Sequence, residues 1–192
     1  MRREVIGFAM TGSFCTFAPV FRELEHLTSV FSNVVPIMSE ISWQADTRFG
    51  TAEEHIRRIR GLCGREPLRS IREVEPIGPK GLLDLLIIAP CTGNTMSKMA
   101  LGITDSTVSM AAKAQLRNEK PVLVAVSSND GLGASGKNLM ELMQKRNIYM
   151  VPFGQDDPAG KPTSLKSDMS RITEAAEAAL EGRQLQPVLI QK

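Results

Sequence analysis

Cysteine and histidine are scarce in this chain, and their scarcity excludes several kinds of site. The 192 residues include three cysteines and two histidines, and no two cysteines have a C-x-x-C spacing. A disulfide framework needs paired cysteines, and a tetrathiolate zinc site needs two closely spaced pairs. We therefore expect neither a disulfide-stabilised secreted domain nor a metal site, and we predict a protein of the reducing cytoplasm.

Long apolar runs and an excess of one sign of charge are also missing. No apolar run approaches the ~20 residues that a membrane-spanning helix requires, and the first, in MRREVIGFAMTG, is too short for a secretory signal. The 23 basic and 21 acidic residues leave a net charge of +2, which gives no electrostatic footprint for nucleic acid. The basic run from His55 to Arg65 is predicted to be a solvated helix face, and His26 is expected at the surface. These absences predict a soluble protein with neither a membrane nor nucleic acid as partner.

What the chain does have is an alternation of short apolar runs with amphipathic segments. Strands are predicted at residues 4–10, 33–38, 83–89, 122–126 and 148–151, and the LQPVLIQK ending can add a sixth, short strand or pack on a neighbour. Strands that alternate with helices form right-handed βαβ units and a parallel sheet. The prediction is one domain over residues 1–192. Its expected fold is a three-layer α/β/α doubly wound sheet (Rossmann-like, flavodoxin-like) of five or six mainly parallel strands.

The connections of this predicted fold differ in length and polarity. Residues 41–50 and the proline- and glycine-rich stretch before the third strand are predicted to be loops. One helix is predicted to begin at Thr51, and another to be capped by Asp105. Pro36 is awkward for a strand in the middle of a sheet. Residues 152–168 form a long polar stretch, and loops beyond about 12–15 residues are usually functional or disordered. We expect this stretch to be a flap or interface loop within the domain.

Small hydroxyl and glycine residues follow three of the predicted strands. They are Thr11-Gly12-Ser13, Ser39 and Thr92-Gly93-Asn94-Thr95. If the sheet is parallel, all three groups lie at one edge, where open α/β sheets bind ligands. Turn formation and helix capping explain each group alone, whereas the shared edge supports an anion site, most commonly for phosphate, and both explanations stay open. Asn129 follows the fourth strand at the same edge.

Two further features have a structural explanation beside a functional one. Gly131-Leu-Gly133-Ala-Ser-Gly136 matches the G-x-G-x-x-G pattern of nicotinamide dinucleotide sites. The fingerprint normally lies in the strand-end turn of the first βα unit, whereas four residues separate Gly131 from Val126 in the fourth unit. A turn and a dinucleotide site both remain open. Cys91 lies beside a helix start that can lower a thiol pKa, but without a neighbouring histidine a buried packing role is favoured.

The residues from Ala89 to Ser106, APCTGNTMSKMALGITDS, resemble the central motif of the homo-oligomeric flavin-containing cysteine decarboxylase superfamily. In that superfamily a P-x-[ST]-x-[NK]-T segment is followed by a lysine and then by G-I-x-D. The Thr11-Gly12-Ser13 turn and Ser39 also match, and the resemblance runs from Val5 to about Val151. It implies FMN as the cofactor and a homo-oligomer, at least a trimer.

The resemblance also implies roles for individual residues. Gly12, Ser13 and Ser39 would hold the FMN phosphate; Thr92, Asn94 and Thr95 would contact the ribityl chain or phosphate; and Ser127, Ser128 and Asn129 would line the isoalloxazine side. The catalytic histidine of the decarboxylases precedes strand three, where this chain has Glu75-Pro76. An FMN-dependent decarboxylase is therefore disfavoured, and no catalytic residue is assigned.

Within the superfamily, the QDDPAGKPTSL and LEGRQLQPVL segments most resemble one of the two subunits of a sporulation oxidoreductase. That enzyme oxidises dihydrodipicolinate to dipicolinate, and NAD(P) is bound by its other subunit. The resemblance implies an oxidoreductase subunit that acts with this partner on a small dicarboxylate. Arg48, Lys161 and Lys166 are candidate ligands for the substrate carboxylates, since a guanidinium can bind a carboxylate bidentately. The alternative is a non-catalytic flavin-fold scaffold that stabilises or activates the partner.

Overall fold

A seven-stranded mixed sheet forms the centre of the computed structural model, which describes residues 1–191. The strands are β1 (Arg2–Met10), β2 (Phe31–Met38), β3 (Leu85–Cys91), β4 (Val122–Ser128), β5 (Ile148–Met150), β6 (Phe153–Asp157) and β7 (Lys161–Ser167). Their order is β2-β1-β3-β4-β7-β6, and β5 also pairs with β4. Strands β1 to β5 pair in parallel. This is the doubly wound order 2-1-3-4-5, and the predicted fold class is confirmed.

The stretch predicted as a loop over 152–168 is a β-hairpin. Strands β6 and β7 are antiparallel, and β7 pairs with the end of β4, with Ser127 opposite Lys166 and Ser128 opposite Leu165. The sheet therefore has seven strands rather than five or six. Most residues of the two hairpin strands are polar, and the buried residues of the hairpin, such as Phe153 and Leu165, do not alternate in a way that a sequence pattern can detect. Its role as a flap or interface segment stays a prediction.

Helices cover both faces of the sheet. They are α1 (Phe17–Val30), α2 (Glu40–Gln44), α3 (Ala52–Cys63), α4 (Ile71–Val74), α5 (Ile77–Lys80), α6 (Gly93–Leu101), α7 (Thr107–Arg117), α8 (Gly136–Gln144) and α9 (Ile172–Leu180). Helices α1, α3 and α9 pack on one face, against Leu85 and Ile87 of β3, and α4 to α8 pack on the other, against Leu86 and Ile88. All of β3 is buried, as expected for a strand covered on both sides. Within residues 1–191 no helix is long and apolar enough to cross a membrane.

Three local predictions are wrong. Helix α2 occupies the first half of the predicted loop 41–50, and α4 and α5 lie in the connection before β3. Helices of four or five residues are too short to show a 3.6-residue period. Asp105 does not cap α7: its carboxylate lies 2.7 Å from Lys98 Nζ, and the hydroxyl of Ser106 accepts the N–H of Ser109 instead.

His55 is buried rather than solvated, which corrects a fourth prediction. Thr51 and Glu54 form a capping box at the start of α3. Residues four apart share a helix face, so His55 and Ile59 both face the core while Arg57 and Arg58 between them stay exposed. The imidazole is packed against phenylalanine rings of α1 and the turn before it, with centroid distances of 4.8 to 6.1 Å.

At the two outer regions of the sheet, residues outside the strands form hydrogen bonds with the strand backbone. Strand β2 is an edge strand, which explains how it tolerates Pro36; the carbonyl of Pro36 accepts the N–H of Leu68 at 2.9 Å. At the other side, the amide of Gln184 takes the place of a strand beside β5. Its Oε1 accepts the N–H of Met150, and its Nε2 donates to the carbonyl of Met150, both at 2.8 Å. Farther along, Phe153 forms a parallel bridge with Leu189.

Candidate functional site

A cavity of about 940 Å³ opens at the carboxyl ends of β1, β3 and β4. It lies at the edge where the sequence predicts a ligand site, and its volume is typical of small-molecule sites. From β1 the chain crosses first to β2 on one side and later to β3 on the other. Ligands of doubly wound sheets bind at such a reversal of strand order.

Hydroxyl groups connect the strand ends beneath this cavity. The hydroxyl of Thr11, at the end of β1, donates to the carbonyl of Pro90 at 2.7 Å and accepts the N–H of Thr92 at 3.1 Å. The hydroxyl oxygens of Ser13 and Ser127 are 2.8 Å apart. These bonds hold the ends of β1, β3 and β4 in a fixed relation, so the cavity floor is defined by backbone contacts as well as by side chains.

Helix α6 begins at the cavity with its N-terminus exposed to it. Thr92 is the N-cap, and its hydroxyl accepts the N–H of Thr95 at 3.3 Å. The next residue is Gly93, where a Cβ atom would lie 2.5 Å from Ser135 Oγ and 2.8 Å from Ser128 Oγ. A side chain at this position would require both serine hydroxyls to move, so glycine allows the helix to approach these two serines. The first N–H groups of a helix lack acceptors within the helix, and this end favours negative charge.

Seven of the nine predicted cofactor residues line the cavity: Gly12, Ser13, Thr92, Asn94, Ser127, Ser128 and Asn129. Ser39 does not; it is 8% exposed, and its hydroxyl donates to Ser42 Oγ at 3.2 Å. Thr95 also lies behind the lining, 7% exposed, with its hydroxyl 3.1 Å from that of Thr92. The contact of all nine with a cofactor stays a prediction.

The G-x-G-x-x-G segment forms a tight turn around one carboxylate. Asp130 Oδ1 accepts the N–H of Ala134 at 3.1 Å, and Oδ2 accepts the N–H of Ser135 at 3.2 Å. A Cβ on Gly133 would lie 2.0 Å from Asp130 Oδ1, and one on Gly131 would lie 2.7 Å from the Cβ of Leu165. The first two glycines of the pattern are therefore accounted for by the turn and by the hairpin packed on it.

All three predicted substrate residues line the same cavity. Arg48 lies in the turn between α2 and α3, with its guanidinium carbon 4.8 Å from the centroid of the Phe49 ring. Lys161 and Lys166 come from β7, because the pairing of β7 with β4 brings the hairpin to the strand ends. Both lysines lie near one carboxylate of β6, that of Asp156. Substrate binding by these cations stays a prediction.

The sequence does not single out the aromatic side of the cavity. Phe14, Cys15 and Phe49 line it, and the same three residues line a smaller adjoining pocket of about 100 Å³ beside His55. Burial lowers the pKa of His55, so its imidazole is held neutral, and among the described residues its Nε2 has no hydrogen-bond partner. The phenylalanine spacing predicts helix α1, but only the fold brings its first turn against residues 47–50.

The other two cysteines are packing residues. Cys91 is fully buried in the core, where burial raises its pKa, in agreement with the structural role favoured by the sequence. Burial also raises the pKa of Cys63 to about 12. The cavity therefore contains one thiol within the described chain, the exposed Cys15.

Comparisons with known proteins agree with this geometry. A family model described as Flavoprotein matches residues 1–161. The B subunit of dipicolinate synthase from Bacillus subtilis (strain 168) is 47% identical over 191 residues, which cover 100% of this chain and 96% of the relative. The crystal structure of the same B subunit from Bacillus halodurans superimposes with a TM-score of 0.89 at 46% identity, covering 98% of this chain and 97% of that one.

More distant structures share the fold alone. One is the FMN complex of Burkholderia xenovorans DmrB, a cubic protein cage for redox transfer, with a TM-score of 0.64 and 16% identity over 78% of this chain and 89% of that one. The resemblance inferred from the strand-end motifs is confirmed by the full-length relatives. The match of the family model across residues 1–161, together with 47% identity to a relative over the whole chain, establishes that the chain belongs to the Flavoprotein family.

Proposed function

We propose that this chain binds FMN and acts as the B subunit of dipicolinate synthase. In this proposal it works with the NAD(P)-binding A subunit of that enzyme, and the two oxidise dihydrodipicolinate to dipicolinate during sporulation in the cytoplasm. The observation that carries the proposal is the cavity, which combines a helix N-terminus of the kind that binds phosphate with three cationic side chains. The 47% identity to a relative named as the B subunit of dipicolinate synthase supports the choice of substrate.

The residues of the cavity are chemically suited to FMN. The N-terminus of α6 and the hydroxyls of Ser13 and Thr92 are donors of the kind that bind a phosphate dianion. The close approach at Gly93 leaves no room for a side chain between the helix and Ser128. Phe14 and Phe49 offer an apolar surface at the other side of the cavity. When bound, FMN supplies a two-electron acceptor beside the substrate.

The part of the protein in the reaction is mainly to bind and orient the substrate. The oxidation removes two electrons and two protons from a dihydropyridine and forms an aromatic ring, so the driving force is in the substrate. Arg48 can bind one carboxylate bidentately, and Lys161 and Lys166 can meet a second one from the hairpin. Holding the ring in a fixed position beside the acceptor is a contribution that such a site can make to the rate, because it removes the entropy cost of bringing the two together.

A second candidate function is a non-catalytic scaffold that stabilises or activates the NAD(P)-binding partner. One observation favours it: among the described lining residues there is no histidine, and both carboxylates, Asp130 and Asp156, already have partners. The lining thus offers no obvious group to accept a proton from the substrate. An independent FMN-dependent decarboxylase is disfavoured because Glu75-Pro76 stands where that family has its catalytic histidine.

Two measurements decide between these functions. The first is the visible spectrum of the purified chain with and without added FMN, where bound flavin is expected to give its absorbance bands. The second is dipicolinate formation by this chain, by its NAD(P)-binding partner and by the mixture of the two. Flavin binding with activity only in the mixture supports the proposed function. Failure to bind FMN at high micromolar concentration, with activity in the isolated partner that this chain increases, supports the scaffold.

A further inference from the structure

The hairpin side of the cavity contains one carboxylate shared by two ammonium groups, and this carries an inference about the substrate that rests on the proposed function. Lys161 Nζ is 3.8 Å from Asp156 Oδ2, and Lys166 Nζ is 3.7 Å from Asp156 Oδ1. A direct hydrogen bond between an ammonium and a carboxylate measures about 2.7–2.9 Å. Asp156 therefore attracts both lysines without forming a close hydrogen bond to either.

The remaining charges of the cavity leave this arrangement with an excess of positive charge. Its charged lining residues are three cations and two carboxylates, a net charge of +1. Asp130 is committed to its turn, where it accepts the N–H groups of Ala134 and Ser135. Among residues 1–191, no carboxylate lies within 4.0 Å of the Arg48 guanidinium. Asp156 is thus the one carboxylate near the hairpin lysines whose bonds are loose enough to be exchanged.

The strand pairing explains why Asp156 meets these lysines. The register of β6 against β7 shifts between Gln155 and Asp157, so Asp156 lies in an irregularity with no residue paired opposite. Such irregularities redirect a side chain relative to a regular strand. Here the side chain is 28% exposed and lies between Lys161 and Lys166, at the mouth of the cavity that both lysines line.

We propose that Asp156 is an internal counter-ion that a substrate carboxylate displaces. In the free protein it compensates the two lysines and keeps them beside the cavity. A dicarboxylate that enters takes over the lysines with one carboxylate, by direct hydrogen bonds, and presents the other to Arg48. Asp156 then turns toward solvent. Its charge competes with the ligand for the same ammonium groups, so it sets how tightly the site holds a dianion.

The test compares Asp156→Asn with the unchanged protein in the binding of pyridine-2,6-dicarboxylate, measured by isothermal titration calorimetry on the full chain with FMN added. An ion pair of about 4 Å in water is worth about 1 kcal/mol, which corresponds to about fivefold in affinity. Removing the competitor is expected to tighten binding about five- to tenfold. The gain should shrink as salt is raised, because exposed charges are screened.

Asp157→Asn is the matched control, since it makes the same change of charge one residue away. Asp157 is exposed, does not line the cavity, and accepts the N–H of Gly160 in the hairpin turn. Asparagine can accept the same bond, so its variant should leave the affinity for the dicarboxylate within about twofold. Equal tightening by both variants would show a general field effect and overturn the proposal.

The remaining outcomes separate this inference from the proposed function. An unchanged or weakened affinity in Asp156→Asn overturns the counter-ion role, even if the two subunits together form dipicolinate. If neither protein binds pyridine-2,6-dicarboxylate while the mixture is active, the site lies elsewhere and the inference is again wrong. If Asp156→Asn binds more tightly but the mixture forms no dipicolinate, the counter-ion role is supported and the proposed function fails.

Discussion

Replacing Gly93 by alanine tests whether the close approach of α6 to the serines builds the cavity. The added methyl group would lie 2.5 Å from Ser135 Oγ and 2.8 Å from Ser128 Oγ, so both hydroxyls must move. Ser128 Oγ accepts the N–H of Asp130 at 3.3 Å, and Ser135 Oγ lies 3.4 Å from Asp130 Oδ2. Two such bonds contribute about 1–3 kcal/mol together, and alanine recovers about 0.5–1 kcal/mol in a helix. We expect a net loss of about 0.5–2 kcal/mol in the free energy of unfolding.

The assay is urea unfolding followed by circular dichroism, with a titration of FMN on the same proteins. Gly61→Ala is the control, since Gly61 is exposed in α3 and a Cβ there meets nothing within 4 Å. This control should gain about 0.5–1 kcal/mol and keep its affinity for FMN. Gly93→Ala should lose stability and bind FMN at least tenfold more weakly. If Gly93→Ala gains stability like Gly61→Ala and binds FMN unchanged, the two serines move freely and our view of the cavity wall is wrong.

Three further predictions concern the cations, the histidine and the thiols. Arg48→Ala should lower kcat/KM of the two-subunit enzyme for dihydrodipicolinate by the equivalent of about 1.5–3 kcal/mol in activation free energy, the scale of a charged hydrogen bond. Arg48→Lys should recover only part of this loss, because lysine lacks the planar guanidinium fork. An unchanged KM in Arg48→Ala would remove Arg48 from the site. Burial lowers the pKa of His55, so the imidazole is protonated at a higher pH in the unfolded chain than in the folded one. The contribution of neutral His55 to the free energy of unfolding is therefore complete above about pH 6.5 and is lost as the pH falls below that value. Urea unfolding at pH 7.5 and 5.5 should show this loss, reduced in His55→Leu, and an equal pH dependence in both proteins would contradict it. Iodoacetamide at pH 8, followed by mass spectrometry, should modify exposed Cys15 and spare Cys63 and Cys91, whose thiol pKa values are raised by burial; urea should expose all three, and fast labelling of Cys91 in the folded protein would contradict its burial.

The central sheet could be predicted from sequence because its strands are buried on both faces. A run such as that of β3 is apolar throughout, and the residues after it change abruptly to hydroxyl, amide and glycine. Parallel strands end at one edge, so Ser13, Thr92 and Asn129 could be assigned to one edge without knowledge of the coordinates. The same reasoning places Ser39 at this edge, but Ser39 does not line the cavity and its hydroxyl donates to Ser42 in the next helix; its contact with a cofactor stays a prediction.

The parts that could not be predicted depend on long-range pairing. The hairpin of β6 and β7 has no apolar face of its own for most of its length, and only the pairing of β7 with the end of β4 brings its lysines and Asp156 to the cavity. His55 lies in a basic sequence, and its burial follows from the direction in which α3 packs on α1. Four-residue helices such as α4 show no period at all. In each case the information lies in a contact between distant segments and not in the local sequence.

The amide of Gln184 has a consequence beyond local packing. A strand at the edge of a sheet offers unpaired N–H and C=O groups on which another chain can add a strand. At β5 these groups of Met150 are occupied by a side chain, and Leu189 bridges to Phe153 farther along. Residues 184–190 therefore cover the backbone at these two positions without forming a strand. Strand addition by another polypeptide is therefore hindered at Met150 and Phe153, whereas the carboxyl ends of β1, β3 and β4 stay open at the cavity.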